Sequence, residues 1–266
     1  MNSIVMFFKT TVLLSFILRC APELSIFLLG DSTSGFLYHD GFIPTFNCYV
    51  VDPNITQRVE RSPRFSWGNG YLCNKYGITR VGYAVHWGVF SSHYHKRWNR
   101  HQSFNSSLNS RTNIIDAVVE FQTRTKNSKG PVIFLFLSSL WDIKRYEEHP
   151  DLYSSKNKFL TEFQNKYTSL MLSILDILRA NDVIVIETMH GVPLLYPDFI
   201  PELNDRARRV ARYLRIPVLD IYKFLGSNSQ EYLFDEMHQN NISSLLITKN
   251  ILAKNWTILP TGDCLI

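Results

Sequence analysis

Beyond residue 24, apolar residues gather into short continuous runs that alternate with longer stretches of helical period. LSIFLL (24–29), ITRVGYAVHW (78–87), VIFLFLS (132–138), VIVIETM (183–189) and PVLDIY (217–222) read as strands. The third follows Gly130 and Pro131 and is apolar at successive positions, the pattern of a strand covered on both faces. NIIDAVVEFQTRT (113–125) places Ile114, Ile115, Val118, Val119 and Gln122 at helical spacing, with Asn113 as the expected N-cap. KFLTEFQNKYTSLMLSILDILRA (158–180) carries one apolar stripe from Leu160 to Leu178, and helices are also expected over 202–215 and 242–256. Five short apolar strands separated by helices predict an α/β domain with a parallel sheet and helices on both faces.

In such a sheet, functional groups collect beyond the carboxyl ends of the strands. Gly30-Asp31-Ser32 lies beyond the first strand, Gly88 beyond the second, Ser138 to Asp142 beyond the third and His190 beyond the fourth. The stretch 39–77 is too long for a simple crossover and reads as an insertion near that rim.

The abrupt end of the first strand at GDS has two readings. Asp31 and Ser32 can cap a helix, since their oxygens accept from free first-turn N–H groups. Alternatively Ser32 is a nucleophile held at a strand-to-helix turn, with those N–H groups aimed at developing negative charge. A serine needs a base, and the base needs an acid to orient it. LFDEMHQNN (233–241) supplies both: Asp235 and His238 are three residues apart, between the fifth strand and the last helix. His190 is the rival base, without an acid at that spacing.

GDS after the first strand and Asp-x-x-His before the last helix resemble the SGNH (GDSL-type) hydrolase superfamily, and SSLWDIKRY (138–146) is similar to a segment of PC-esterase domain proteins. ETMHGVPLLYPDFIPEL (187–203) and DEMHQNNISSLLITKNILAKNW (235–256) look like later blocks of that family, with 39–77 unmatched. The resemblance implies a three-layer α/β/α sandwich around a five-stranded parallel sheet in flavodoxin-like order. It implies acyl-ester hydrolysis or transfer by Ser32, His238 and Asp235, with no metal and no cofactor. The oxyanion donors would be Ser32, Gly88 (Gly82 being the less favoured glycine) and Ser138, where related esterases often carry Asn. Asp31 and Trp141 are candidates for substrate contact, Trp141 being equally suited to core packing. Asp142 and Arg145 read as a pair or as a loop-ordering element. His93-Tyr94-His95 has strand-like metal spacing but no carboxylate or cysteine companions, so it reads as a polar loop.

Composition changes this picture little. Of 266 residues, 45% are hydrophobic and 19% charged, with a formal charge of +5, which suits a single globular domain over 22–266. The arginines of RRVARYLR (208–215) suggest either an anionic partner or a solvated helix face; no nucleic-acid motif accompanies them, so none is expected as partner. Lys9, the apolar run 10–18 and Ala21 have the parts of a signal peptide or signal anchor over 1–21, which is the only membrane-directed segment and points to the secretory pathway or the extracellular space. Cys48 and Cys73 could form a disulfide or remain free buried thiols. Four Asn-x-Ser/Thr sites, at Asn54, Asn105, Asn241 and Asn255, are compatible with glycosylation. The expected partner is a small-molecule, glycan or lipid acyl ester.

Overall fold

In the computed structural model, the residues described are 24–50, 71–90, 110–253 and 263–264, apart from 74, 76–77, 87, 129, 139, 149, 193, 227–229 and 234. The expected leader over 1–21, the sequons at Asn54, Asn105 and Asn255, and the His93–His95 loop lie outside them.

Strand β1 (Leu24–Gly30) is buried along its whole length because it runs between two parallel neighbours. These are β4 (Ile78–Val85) and β5 (Val132–Phe136). The sheet continues through β6 (Val183–Glu187) and β7 (Val218–Leu219), both parallel. The five predicted strands therefore stand in the order second, first, third, fourth, fifth, the flavodoxin-like arrangement. Three short strands extend it to eight: β2 (Cys48–Val50) and β3 (Tyr71–Cys73) are antiparallel beside β4, and β8 (Asp263–Cys264) is parallel beside β7.

Alternation along each strand sends side chains to two separate cores. Phe27, Leu29, Phe134, Phe136 and Ile186 face one, which is closed by α2 (Ser110–Arg124), α3 (Leu140–Glu148), α4 (Lys156–Ile177) and α5 (Phe199–Leu214). Ile26, Leu28, Ile133, Leu135 and Val185 face the other, closed by residues 37–46, by α6 (Ile221–Leu225) and by α7 (Asn241–Ala253). Each fully buried large apolar side chain contributes about 1.5–3 kcal/mol, so the two cores together outweigh any surface pairing. Phe27 stacks on Phe121 with centroids 4.3 Å apart. A Cβ at Gly82, in register with Phe27, would run into both rings. Gly82 is thus a packing glycine inside β4.

Several expected boundaries move for local reasons. The fifth strand ends at Leu219, because Asp220 turns its carboxylate onto the Lys223 N–H and starts α6. The helix expected from Asn113 begins at Ser110, so Asn113 has helical backbone and cannot be the N-cap. Ser155 caps α4 through the Lys158 N–H. The stretch expected as an insertion at the rim is integrated where it is described. Residues 32–45 form α1 (Ser32–Phe36), a π-helical continuation (Leu37–Phe42) and a last turn (Ile43–Thr45) that packs against α7. β2 and β3 then widen the sheet beside Arg80 and Val81, toward the amino-terminal half of β4 and away from the rim.

Cys48 and Cys73 are joined in a disulfide across β2 and β3, which answers the open choice between a bridge and free thiols. A bridge closing a loop of 25 residues restricts the unfolded chain by roughly 3 kcal/mol. Cys48→Ser with Cys73→Ser is therefore expected to lower stability in urea by about that amount; a midpoint unmoved in non-reducing buffer would show that the edge strands stand without it.

Two of the four arginines of 208–215 are paired with carboxylates within the fold. Arg208 donates two hydrogen bonds to Asp220, Arg209 pairs with Asp205, and Arg206 reaches Gln164 and Asn157. Among the described residues no helix is long and apolar enough to cross a membrane.

Candidate functional site

The GDS turn resolves its own two readings by dividing the work. Asp31 is the N-cap of α1: its Oδ1 accepts from the Thr33 N–H (2.9 Å) and the Thr33 hydroxyl (2.7 Å). Burial pushes the Asp31 carboxyl up, and the two Thr33 hydrogen bonds oppose that rise. The Tyr83 hydroxyl donates to the Asp31 carbonyl at 2.8 Å and fixes the turn from β4. Asp31, expected to contact substrate, is buried and committed to capping its own helix. Ser32 is then released from capping, and its Oγ lies 2.8 Å from His238 Nε2.

His238 comes from a tight turn between α6 and α7. Asp235 Oδ1 accepts from the N–H groups of Met237 and His238, and Oδ2 meets His238 Nδ1 at 2.8 Å. A carboxylate only accepts, so Nδ1 carries the hydrogen and Nε2 presents its lone pair to Ser32. Partial burial raises the Asp235 carboxyl, but the hydrogen bonds from the His238 ring and backbone outweigh it and hold the group below the usual carboxylate value. Ser32, His238 and Asp235, separated by some two hundred residues in sequence, form one hydrogen-bonded chain.

The surroundings hold the imidazole in place. Phe36, one turn along α1, packs on the His238 ring at 4.9 Å. Gln239 donates to the Thr33 carbonyl, and Leu233 bridges to Gln239. His190, the rival base, is buried and its Nε2 is 2.9 Å from the Met237 carbonyl. That carbonyl only accepts, so His190 must donate, and burial pushes it down to about 4. His190 buttresses the turn that carries His238 and does not compete with it. Asn204 clamps the preceding residue by accepting from the Met189 N–H and donating to the Met189 carbonyl.

The register brings the expected oxyanion segments to the same rim. The His86 N–H donates to the Gly30 carbonyl and the Leu137 N–H to the Leu29 carbonyl, so Gly88 and Ser138 follow directly beyond strands that flank Ser32. Their donors, however, are already engaged. Gly88, with φ of 91°, directs its N–H to His86 Nδ1 at 3.2 Å. The Ser138 hydroxyl donates to Asp142 Oδ2 at 2.7 Å. Asp142 does not pair with Arg145, which donates to the Tyr153 hydroxyl; its Oδ1 accepts from the Val89 and Phe90 N–H groups at 2.9 and 3.4 Å. Trp141 packs against the core beside Lys144, whose Nζ is 4.8 Å from the ring centroid.

Two groups escaped sequence reading. His86 links β4 to β5: its Nε2 donates to the Leu137 carbonyl at 2.6 Å, its ring stacks on Phe136, and burial pushes it down to about 4. A histidine ending an apolar strand was the available signal. Glu187, at the end of β6, is buried with neither oxygen hydrogen-bonded, and burial pushes it up to about 8. Among the described residues no group of three His, Cys, Asp or Glu side chains is placed to hold a metal ion.

No protein-family model matches the chain. No curated protein matches it either. Among solved structures it is similar to a lipolytic protein of the G-D-S-L family from Veillonella parvula, with 12% identity over 86% of this chain and 96% of that one and a TM-score of 0.46. It is also similar to an acetylxylan esterase from Geobacillus stearothermophilus, with 12% identity over 86% of this chain and 92% of that one and a TM-score of 0.43. An α/β hydrolase from the metagenome of Lake Arreo aligns with 14% identity over 88% of this chain and 96% of that one, with a TM-score of 0.46. The chemistry open to this chain follows from its own side chains.

Proposed function

We propose that the protein is a serine esterase or acyltransferase acting on acyl esters, acetyl esters included, of a carbohydrate or lipid. The observation that carries this reading is the continuous chain from Ser32 Oγ through His238 to Asp235. Ser32 attacks the ester carbonyl while His238 Nε2 takes its proton, and the oxygen of the tetrahedral intermediate becomes negative. His238 then returns the proton to the departing alcohol. Water, or an acceptor alcohol in transfer, repeats the sequence on the acyl-serine. Asp235 keeps Nδ1 protonated and stabilises the imidazolium formed during each step. The first helical N–H groups at Ser32 are assigned to the oxyanion, together with the Gly88 N–H and the Ser138 hydroxyl once these leave His86 Nδ1 and Asp142 Oδ2. The Cys48–Cys73 bridge supports a secretory-pathway or extracellular destination, where disulfides persist.

A second reading is favoured by one observation: the Ser138 proton is held by Asp142. On that reading the fold binds a glycan or lipid ester without turning it over. A fluorophosphonate probe separates the two. The esterase reading expects stoichiometric labelling of the folded protein, mapped to Ser32 by peptide mass spectrometry. Absence of label on Ser32 in folded protein supports the binding reading and overturns the catalytic one.

A further inference from the structure

The loop beyond β4 and the turn beyond β5 are tied together by two buried side chains, His86 through the Leu137 carbonyl and Asp142 through both segments. Asp142, in the first turn of α3, is 1% exposed and accepts three hydrogen bonds: Val89 N–H and Phe90 N–H on Oδ1, Ser138 Oγ–H on Oδ2. Gly88 passes so close that a Cβ there would run into the Asp142 carboxyl. Both segments assigned to the oxyanion hole thus rest on the same carboxyl group, and it belongs to neither the nucleophile nor the base.

We propose, on the esterase reading above, that Asp142 is a positioning residue that holds the Gly88–Phe90 loop and Ser138 in one arrangement, and that a proton on its Oδ2 decides whether the Ser138 hydroxyl serves Asp142 or the substrate oxygen. A serine hydroxyl has one hydrogen and two lone pairs. When Asp142 is ionised, Oδ2 can only accept, so the Ser138 hydrogen stays on it and is withheld from the substrate. When Oδ2 is protonated, it donates to Ser138 Oγ, and the Ser138 hydrogen is free to rotate toward the developing oxyanion. Oδ1 is already occupied by two N–H groups, so the proton belongs on Oδ2.

The electrical surroundings make this exchange available near neutrality. Burial pushes Asp142 up to about 7, against the hydrogen bonds of Ser138, Phe90 and Val89, and the charge of Asp31 adds to the rise. Tyr167 on α4 and Tyr153 before it face the same carboxyl; burial raises both hydroxyls, so they stay neutral across this range. Arg145, one turn further along α3, gives its Nε hydrogen to Tyr153 and not to Asp142. As pH rises through about 7, Asp142 loses its proton and Ser138 loses its freedom to donate. Turnover should therefore fall on the alkaline side, where a simple triad would hold a plateau.

The test is kcat and KM for 4-methylumbelliferyl acetate from pH 5 to 9 on the full chain, with fluorophosphonate labelling run in parallel. Wild type should lose turnover by roughly tenfold or more above neutrality, with KM changing little, since an oxyanion donor acts on the transition state. In Asp142→Asn the amide oxygen still accepts from Val89 and Phe90, and the amide nitrogen permanently donates to Ser138. Its alkaline fall should vanish. Ser138→Ala should flatten the same limb by lowering turnover at acid pH, up to about 100-fold. A labelled, active protein whose alkaline limb is unchanged in both variants overturns the role of Asp142 and leaves the esterase intact. A wild type with no label on Ser32 and no turnover overturns the esterase reading, and the role of Asp142 with it.

Discussion

Ser32→Ala should abolish ester hydrolysis, lowering kcat/KM by roughly four to six orders of magnitude, while barely moving the thermal midpoint. The reasoning is that Ser32 contributes one hydrogen bond, to a partly exposed imidazole, and so about 1 kcal/mol or less to stability. The stability of this turn resides next door. Asp31 satisfies the Thr33 N–H and hydroxyl from a buried position, so Asp31→Ala should cost about 1–2 kcal/mol by removing the cap. The paired measurement is decisive because the two readings of GDS assign stability and activity to different residues. A Ser32→Ala protein with undiminished turnover would dismiss the nucleophile, and one that melts many degrees lower would make Ser32 part of the frame.

The same turn illustrates how much could be read from sequence. The parallel sheet followed from five apolar runs, because a central parallel strand must be apolar on both faces and helices must return the chain, whereas the strand order was what the family resemblance implied. The chain Ser32–His238–Asp235 followed from where those strands end. What sequence could not supply was the destination of each polar hydrogen. Asp31 and Ser32 are adjacent and both suit a cap; which one caps depends on backbone angles and on the approach of His238 from a distant turn. Ser138 stood at the expected position, but its hydroxyl has a nearer acceptor one helical turn later, at Asp142. His190 had the right residue type and the right strand end. Its burial and the Met237 carbonyl, neither visible in a local window, make it a donor rather than a base. The edge strands β2 and β3 were missed because three-residue strands carry no period, and their pairing shows only in space.

His238→Ala should match Ser32→Ala in its loss of turnover, since both remove one proton-transfer unit whose effects do not add; the double variant should be no worse than either single one. Asp235→Asn should retain about 10–100-fold more activity than His238→Ala, because the base survives with its orientation weakened. The amide introduced by Asp235→Asn also keeps an oxygen for the Met237 and His238 N–H groups, so the turn itself should persist. In wild type the depressed Asp235 carboxyl remains charged through the ordinary carboxylate range. Its orienting bond is therefore present at and above mildly acid pH, and is lost only as pH falls through that lowered value. His190→Gln should act differently from either. It can still donate to the Met237 carbonyl, so turnover should fall only severalfold, through a looser His238. Steady-state kinetics on the four single variants, with circular dichroism to confirm folding, distinguish these roles. An active His238→Ala beside an inactive but folded His190→Gln would transfer the base to His190 and break the chain on which the proposed mechanism rests.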